Sequence, residues 1–191
     1  MARRSKDFDF EGFAERVDKT LLHNHLHLLT GEITEENCTA AIKWILHENL
    51  SSRENKVLTL YINSTGGDLN EAFALIDIMR ASKLPIRTVA CGSICSAAFL
   101  IFACGTKGFR YVYRNTSSMC HQYSSDTMVG KHHELKSSVK ELDLTNKRMT
   151  TLLTQVTGLD VKTVKSKFLP ASDVWFRVEE LIEHGIADEI L

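Results

Sequence analysis

Between residues 57 and 103 the chain repeats one pattern twice: a short apolar run, then a helical stretch. Val57 to Asn63 is rich in β-branched and apolar residues, as buried strands are. Residues 70–82 then carry Ala72, Leu75, Ile76 and Met79 on one helical side. Pro85 opens a second apolar run, Ile86 to Cys91, and Ala97 to Ala103 is too apolar for a surface helix. Strand, helix, strand, helix at this spacing implies parallel strands joined by right-handed crossovers. The expected fold class is therefore α/β. Sites in such sheets lie beyond the carboxyl ends of the strands. Gly66-Gly67 stands beyond the first run and Gly92 to Ser96 beyond the second.

The rest of the chain fits around this unit. Residues 1–20 are polar with scattered phenylalanines and read as a flexible arm. Residues 20–29 alternate well enough for a strand, which would put His23, His25 and His27 on one face. Three histidines on a face can bind Zn²⁺, but a polar strand face accounts for them, and neither a metal nor a cofactor is expected. Thr34 is a candidate N-cap, with Asn37 at the capping-box position, for a helix over 35–48. Short strands are expected at 109–113 and 117–121, and a polar loop at 124–130. A long helix follows at about 131–157. Its apolar positions Leu135, Val139, Leu142, Met149, Leu153 and Val156 form a seam narrower than an ordinary core face. Such a helix either extends from the body onto a partner or lies along its own domain. A short helix at 160–168, a connection at 170–176, a helix at 178–184 closed by Gly185, and a last strand at 186–191 complete the reading. Residues 21–191 read as a single domain.

A formal net charge of -1 gives no basis for a nucleic-acid or membrane partner. No run approaches the roughly 18 apolar residues of a membrane span. The basic start is not followed by an apolar segment, so it does not read as a secretory signal, and a cytoplasmic location is expected. The five cysteines include no CxxC pair and four lie in apolar runs, as buried free thiols do in a reducing compartment. Cys95 and Cys120 flank the candidate site residues, so thiol modification is expected to inhibit.

Ser96 sits between a buried strand and a buried helix, where backbone amides gather at a helix N-terminus. It is the candidate nucleophile. Ser93 competes from three residues upstream. His121 is the best base, ending a strand in an apolar stretch, although a lone histidine is more often structural. Asp173 is one of several acids able to orient it. The G-x-S-x-G elbow is absent, which argues against an α/β-hydrolase.

Four segments in order sharpen this: Tyr61-Ile62-Asn63-Ser64-Thr65-Gly66-Gly67, Gly92-Ser93-Ile94-Cys95-Ser96-Ala97-Ala98, Met119-Cys120-His121-Gln122, and residues 179–188 ending Gly185-Ile186-Ala187-Asp188. Together they resemble the ClpP family, the proteolytic subunit of the ATP-dependent Clp protease. That family reads Y-I-N-S-P-G-G, G-x-A-x-S-M-G and M-I-H-Q-P at the first three. The resemblance covers roughly residues 22–191. It implies a ClpP/crotonase-like fold of stacked ββα units with a protruding handle helix, here 131–157. It implies a Ser-His-Asp serine endopeptidase with Ser96 as nucleophile, His121 as base and Asp173 as the orienting acid. The backbone amides of Gly67 and Ala97 would form the oxyanion hole. It further implies a homo-oligomer of heptameric rings stacked as a tetradecamer, fed with unfolded polypeptides by an AAA+ unfoldase of the Clp type. Thr65, Ile94, Cys95, Ala97, Ala98 and Tyr123 depart from the family's usual residues, which keeps open a weakly active or non-catalytic ring subunit that modulates another. A crotonase-fold enzyme acting on acyl-coenzyme A is the other rival, and it does not need a Ser-His-Asp set.

Overall fold

The computed structural model describes residues 10–51, 56–124 and 130–191. Among the described residues seven strands form one sheet with the path β1-β2-β3-β4-β7, and β5 joins β3 to β6. The strands are β1 (Leu26–Thr30), β2 (Leu58–Ser64), β3 (Ile86–Cys95), β4 (Arg110–Val112), β5 (Ser117–Cys120), β6 (Val174–Phe176) and β7 (Glu189–Ile190). Every pairing is parallel except β5 with β6. The parallel α/β expectation therefore holds, with one antiparallel addition at β6.

Residue pattern explains the layers. Along β2, Leu58, Leu60, Ile62 and Ser64 are buried, while Thr59, Tyr61 and Asn63 are at least partly exposed. Helices α2 (Glu35–Leu50), α3 (Leu69–Ala81) and α4 (Ala97–Ala103) share the core formed by the buried side. They contribute Ala41, Trp44 and Ile45, then Ala72, Leu75 and Ile76, then the whole of α4, which is buried all round. Thr34 caps α2, and Asn37 reciprocates to the Thr34 N–H, giving the expected box. Asp68 caps α3 by accepting from the Asn70 and Glu71 amides.

Three elements differ from the sequence expectation. From Phe10 onward the supposed arm is helix α1 (Phe10–His23), and residues 1–9 lie outside the described residues. The strand expected over 20–29 begins only at Leu26, because α1 runs to His23 and His25 adopts φ 58°. The three histidines consequently share no strand face: His23 ends a helix, His25 Nδ1 lies 3.0 Å from Glu48 Oε2, and His27 stacks on Trp44 at 5.3 Å. The connection at 170–176 contains β6, whose three-residue Val-Trp-Phe run is too short to register as periodic.

The long helix α5 (His132–Thr157) divides into two halves. Met149, Leu152 and Leu153 are buried in the core, whereas Val139 and Leu144 are half exposed. α6 (Val161–Lys167) and α7 (Val178–Glu183) follow. Gly158 ends α5 at φ 73°. At the chain's end Arg110, with a side chain only 4% exposed, forms an ion pair with Asp188. Its Nε and Nη2 donate to Asp188 at 2.8 and 2.6 Å, and its Nη1 donates to the Gly185 carbonyl at 2.6 Å.

Candidate active site

The site is built on one kinked strand. β3 does not stop at Cys91 as the sequence suggests, but runs on to Cys95. Its residues 88–90 pair with β4, and its residues 93–95 pair with β5. Against β2 its register slips by two residues, from Ile62↔Ala90 to Ser64↔Ile94. Gly92 allows this with φ 69°, and a Cβ there would lie 2.5 Å from Asn63 Oδ1. That same oxygen accepts from the Ser93 amide at 3.0 Å. The irregularity is thus held by a side chain from the neighbouring strand, and it delivers Cys95-Ser96 above the end of β5.

Ser96 is the N-cap of α4, with φ 55° and ψ −121°. A non-glycine residue costs of order 1–3 kcal/mol in such a sparsely populated region. Surrounding contacts impose it: the Ser96 amide donates to the Met119 carbonyl at 2.9 Å, and Phe99 N–H donates to the Ser96 carbonyl at 3.0 Å. The result points the hydroxyl at His121, whose Nε2 lies 2.7 Å from Ser96 Oγ. Both side chains are partly exposed, as groups that meet a substrate must be. Ser93, the competing serine, faces no such base. It sits within the β3–β5 pairing opposite Ser117.

The glycine pair closes against this turn. Gly66 has φ 103°, and a Cβ on it would lie 2.8 Å from both the Cys95 carbonyl oxygen and Ser96 Cβ, and 3.3 Å from the Ala97 nitrogen. Ile33 bridges the pair from the other side: its amide donates to the Gly66 carbonyl, and the Asp68 amide donates to the Ile33 carbonyl, both at 2.8 Å. Those bonds use the groups flanking Gly67 and leave its own N–H turned away from Ile33. Ala97 is the first residue of α4, where N–H groups have no partner within the helix. Neither the Gly67 nor the Ala97 amide donates to any acceptor among the described residues. Ala97 follows Ser96 and Gly67 follows the glycine packed against it, so two unpartnered amides lie in the segments around the Ser96–His121 pair, groups of the kind acyl transfer uses.

Asp173 is placed differently. β5 and β6 pair as Ser118↔Phe176, Met119↔Trp175 and Cys120↔Val174. Continuing that register one step past its last pair would set His121 opposite Asp173. The aspartate is exposed, and its carboxylate makes no hydrogen bond among the described residues. The structure brings Ser96 and His121 together and gives the Asp173 carboxylate no bond to either.

Two residues beside His121 were legible through the resemblance, Gln122 as part of its third segment and Tyr123 as a departure from it. Gln122 Nε2 donates to the Leu169 carbonyl at 2.8 Å, and the Tyr123 amide donates to Asn146 Oδ1 at 3.0 Å. The flanking thiols are poor targets. Cys95 is 5% exposed and burial raises its pKa, while burial pushes the fully buried Cys120 up to about 12. Their burial makes both slow to react, since reactivity needs an accessible thiolate.

Comparison with known proteins bears on the family and the fold. The family model described as Clp protease matches residues 12–191. The ATP-dependent Clp protease proteolytic subunit 2 of Treponema denticola is 31% identical over 164 residues, spanning 85% of this chain and 80% of that protein. Among solved structures, a ClpP1 point mutant from Listeria monocytogenes superposes with a TM-score of 0.81 at 26% identity, covering 92% of this chain and 95% of that one.

Proposed function

The chain belongs to the Clp protease family and is a serine peptidase, and we propose that Ser96 is its nucleophile, His121 its general base and Asp173 its orienting acid. His121 Nε2 takes the proton of Ser96 Oγ as that oxygen attacks a peptide carbonyl. The amides of Gly67 and Ala97 receive the developing oxyanion. The protonated imidazole then donates to the leaving amine, and water repeats the sequence on the acyl-enzyme. The observation that carries this reading is the 2.7 Å contact between Ser96 and His121 beside two unpartnered amides. Asp173, whose carboxylate makes no bond to His121 in the structure, would complete the set by turning toward the imidazole, fixing its tautomer and stabilising its charged form.

A Clp-family chain works as a ring oligomer with a Clp-type unfoldase. The finer reading is two stacked heptameric rings, a tetradecamer, that receive unfolded polypeptide from an AAA+ partner. It is supported by the exposed outer half of α5, which leaves Val139 and Leu144 for contact with a second copy. No helix among the described residues is long and apolar enough to cross a membrane, and all five cysteines are free, which suits a cytoplasmic setting. One observation favours a second reading, an attenuated subunit that modulates another: the Asp173 carboxylate is not bonded to His121.

The deciding experiment combines fluorogenic-peptide cleavage, fluorophosphonate labelling and mass in solution. Ser96→Ala is expected to abolish cleavage and labelling while leaving the assembly's mass unchanged. Label on Ser93, or full cleavage by Ser96→Ala, would overturn the assignment. An unaltered protein that forms rings but takes no label would favour the modulating subunit.

A further inference from the structure

Main-chain pairing around the base ends one residue too early to hold it. The last β5–β6 pair is Cys120↔Val174, and His121 lies beyond it. What restrains the chain next is side-chain capture of the following two residues. Gln122 reaches the Leu169 carbonyl, and the Tyr123 N–H is taken by Asn146 of α5 at 3.0 Å.

Asn146 is oriented for that task. Its Nδ2 donates to the Leu142 carbonyl at 3.1 Å, which leaves Oδ1 as the end facing Tyr123. Its own carbonyl accepts from Thr150 Oγ1 at 2.8 Å, and Thr150 is buried at the point where α5 enters the core. The acceptor is therefore fixed relative to the body. The donor exists only because residue 123 is not proline. The M-I-H-Q-P pattern has a ring at this place, with a fixed φ and no N–H. Tyr123 has a free φ and a donor instead.

We propose that Asn146 is a positioning residue for His121: its side-chain oxygen holds the main chain two residues beyond the base and ties that base to α5. The inference rests on the assignment of His121 as the general base. Two residues span at most about 7 Å of chain, so slack at Tyr123 reaches the imidazole. A displacement of 1 Å at a reacting group can cost about 10²-fold in rate. The effect falls on proton transfer from Ser96, while substrate still binds.

The test is a double-mutant cycle on the full-length protein, using Asn146→Ala, Tyr123→Pro and the pair. Two quantities are read: kcat and KM on a fluorogenic peptide, and the rate of fluorophosphonate labelling at Ser96. In the unaltered background Asn146→Ala is expected to lower kcat and the labelling rate roughly tenfold, the scale of one net hydrogen bond, with KM changed less than about twofold. In the Tyr123→Pro background the same substitution is expected to change neither, since no N–H remains to capture. Asn146→Asp keeps an acceptor oxygen and is expected to restore most of the loss, which keeps the proposal testable if Tyr123→Pro does not fold. Equal losses in both backgrounds, or Asn146→Asp as impaired as Asn146→Ala, would mean that Asn146 serves only helix stability and would overturn the inference. An unaltered protein labelled on Ser96 with Asn146→Ala unaffected overturns it alone. An absence of label on Ser96 in the unaltered protein overturns the catalytic reading and this inference with it.

Discussion

Replacing Gly66 by alanine tests whether the glycine pair shapes the catalytic turn or merely permits a bend. The added Cβ would lie 2.8 Å from the Cys95 carbonyl oxygen and from Ser96 Cβ, where ordinary contact begins at 3.4 Å. The turn must therefore recede by about 0.6 Å. None of the obstructing atoms is the free end of a flexible side chain: they are main chain and the nucleophile's own Cβ. Two costs add. Forcing φ 103° on alanine costs about 1–2 kcal/mol, and crowding a packed site typically costs about 1–3 kcal/mol. A loss of about 2–5 kcal/mol of stability is expected. A shift of this size at the nucleophile should lower kcat/KM by at least about tenfold. Gly108→Ala separates the two costs, because Gly108 has φ 89° but open space where a Cβ would stand. It should lose stability and leave peptide cleavage unchanged. The assays are urea denaturation for stability, and fluorogenic-peptide kinetics with fluorophosphonate labelling for the turn. If Gly66→Ala labels at the rate of the unaltered protein while losing only as much stability as Gly108→Ala, the close approach has no catalytic consequence and the reasoning fails.

Asp188→Ala leaves the Arg110 guanidinium buried without its partner and should cost about 3–5 kcal/mol in urea denaturation. Burial alone would raise the Asp188 carboxyl, but its hydrogen bonds and charge contact with Arg110, and the Gly108 amide, hold it below its ordinary 3.8. A depressed folded value means that this stability is complete above the ordinary value and is lost as pH falls through the lowered one. The gap between the unaltered protein and Asp188→Asn should therefore narrow on acidification below about pH 4. Iodoacetamide on the native protein should leave peptide cleavage intact and leave Cys95 and Cys120 unalkylated by mass spectrometry, and inhibition that tracks alkylation of either would contradict their burial. Val139→Asp with Leu144→Asp should keep the thermal midpoint within a few degrees while lowering the mass in solution, since both side chains are half exposed in the single chain.

Legibility followed the range of the interactions. The β2–α3–β3–α4 unit was readable because local periodicity and burial agree over five to thirteen residues at a time. Thr34 and Asn37 were readable because a capping box lies within four residues. Most of helix α1 was read as an arm because residues 1–20 are polar with scattered phenylalanines, and its end was read as strand because residues 20–29 alternate, with nothing local to show that His25 turns to φ 58° between helix and strand. β6 was missed because three residues carry no period, and its pairing partner lies more than fifty positions away. Ser96 was legible from its setting between two buried runs. His121 was legible as a base because it ends a strand in an apolar stretch, whereas Asp173 was singled out only by resemblance, since no local rule connects it to a serine 77 positions away.

The strand that carries the nucleophile shows why such a site escapes local reading. A straight β3 would end beside β4, and Ser96 would have no histidine to meet. The two-residue slip against β2 moves the end of β3 onto β5, the strand that leads directly into His121. The slip depends on Gly92 accepting φ 69° and on Asn63 filling the space a side chain would need. Asn63 and Gly92 are thus as necessary to the Ser96–His121 contact as the two residues that make it, although neither approaches the chemistry. The same logic holds at the other end of the pair, where Gln122 and Asn146 hold a base that sheet pairing has already released. Ser96 and His121 stand at the ends of two neighbouring strands, and polar side chains that absorb the irregularities where those strands stop being regular support their 2.7 Å contact.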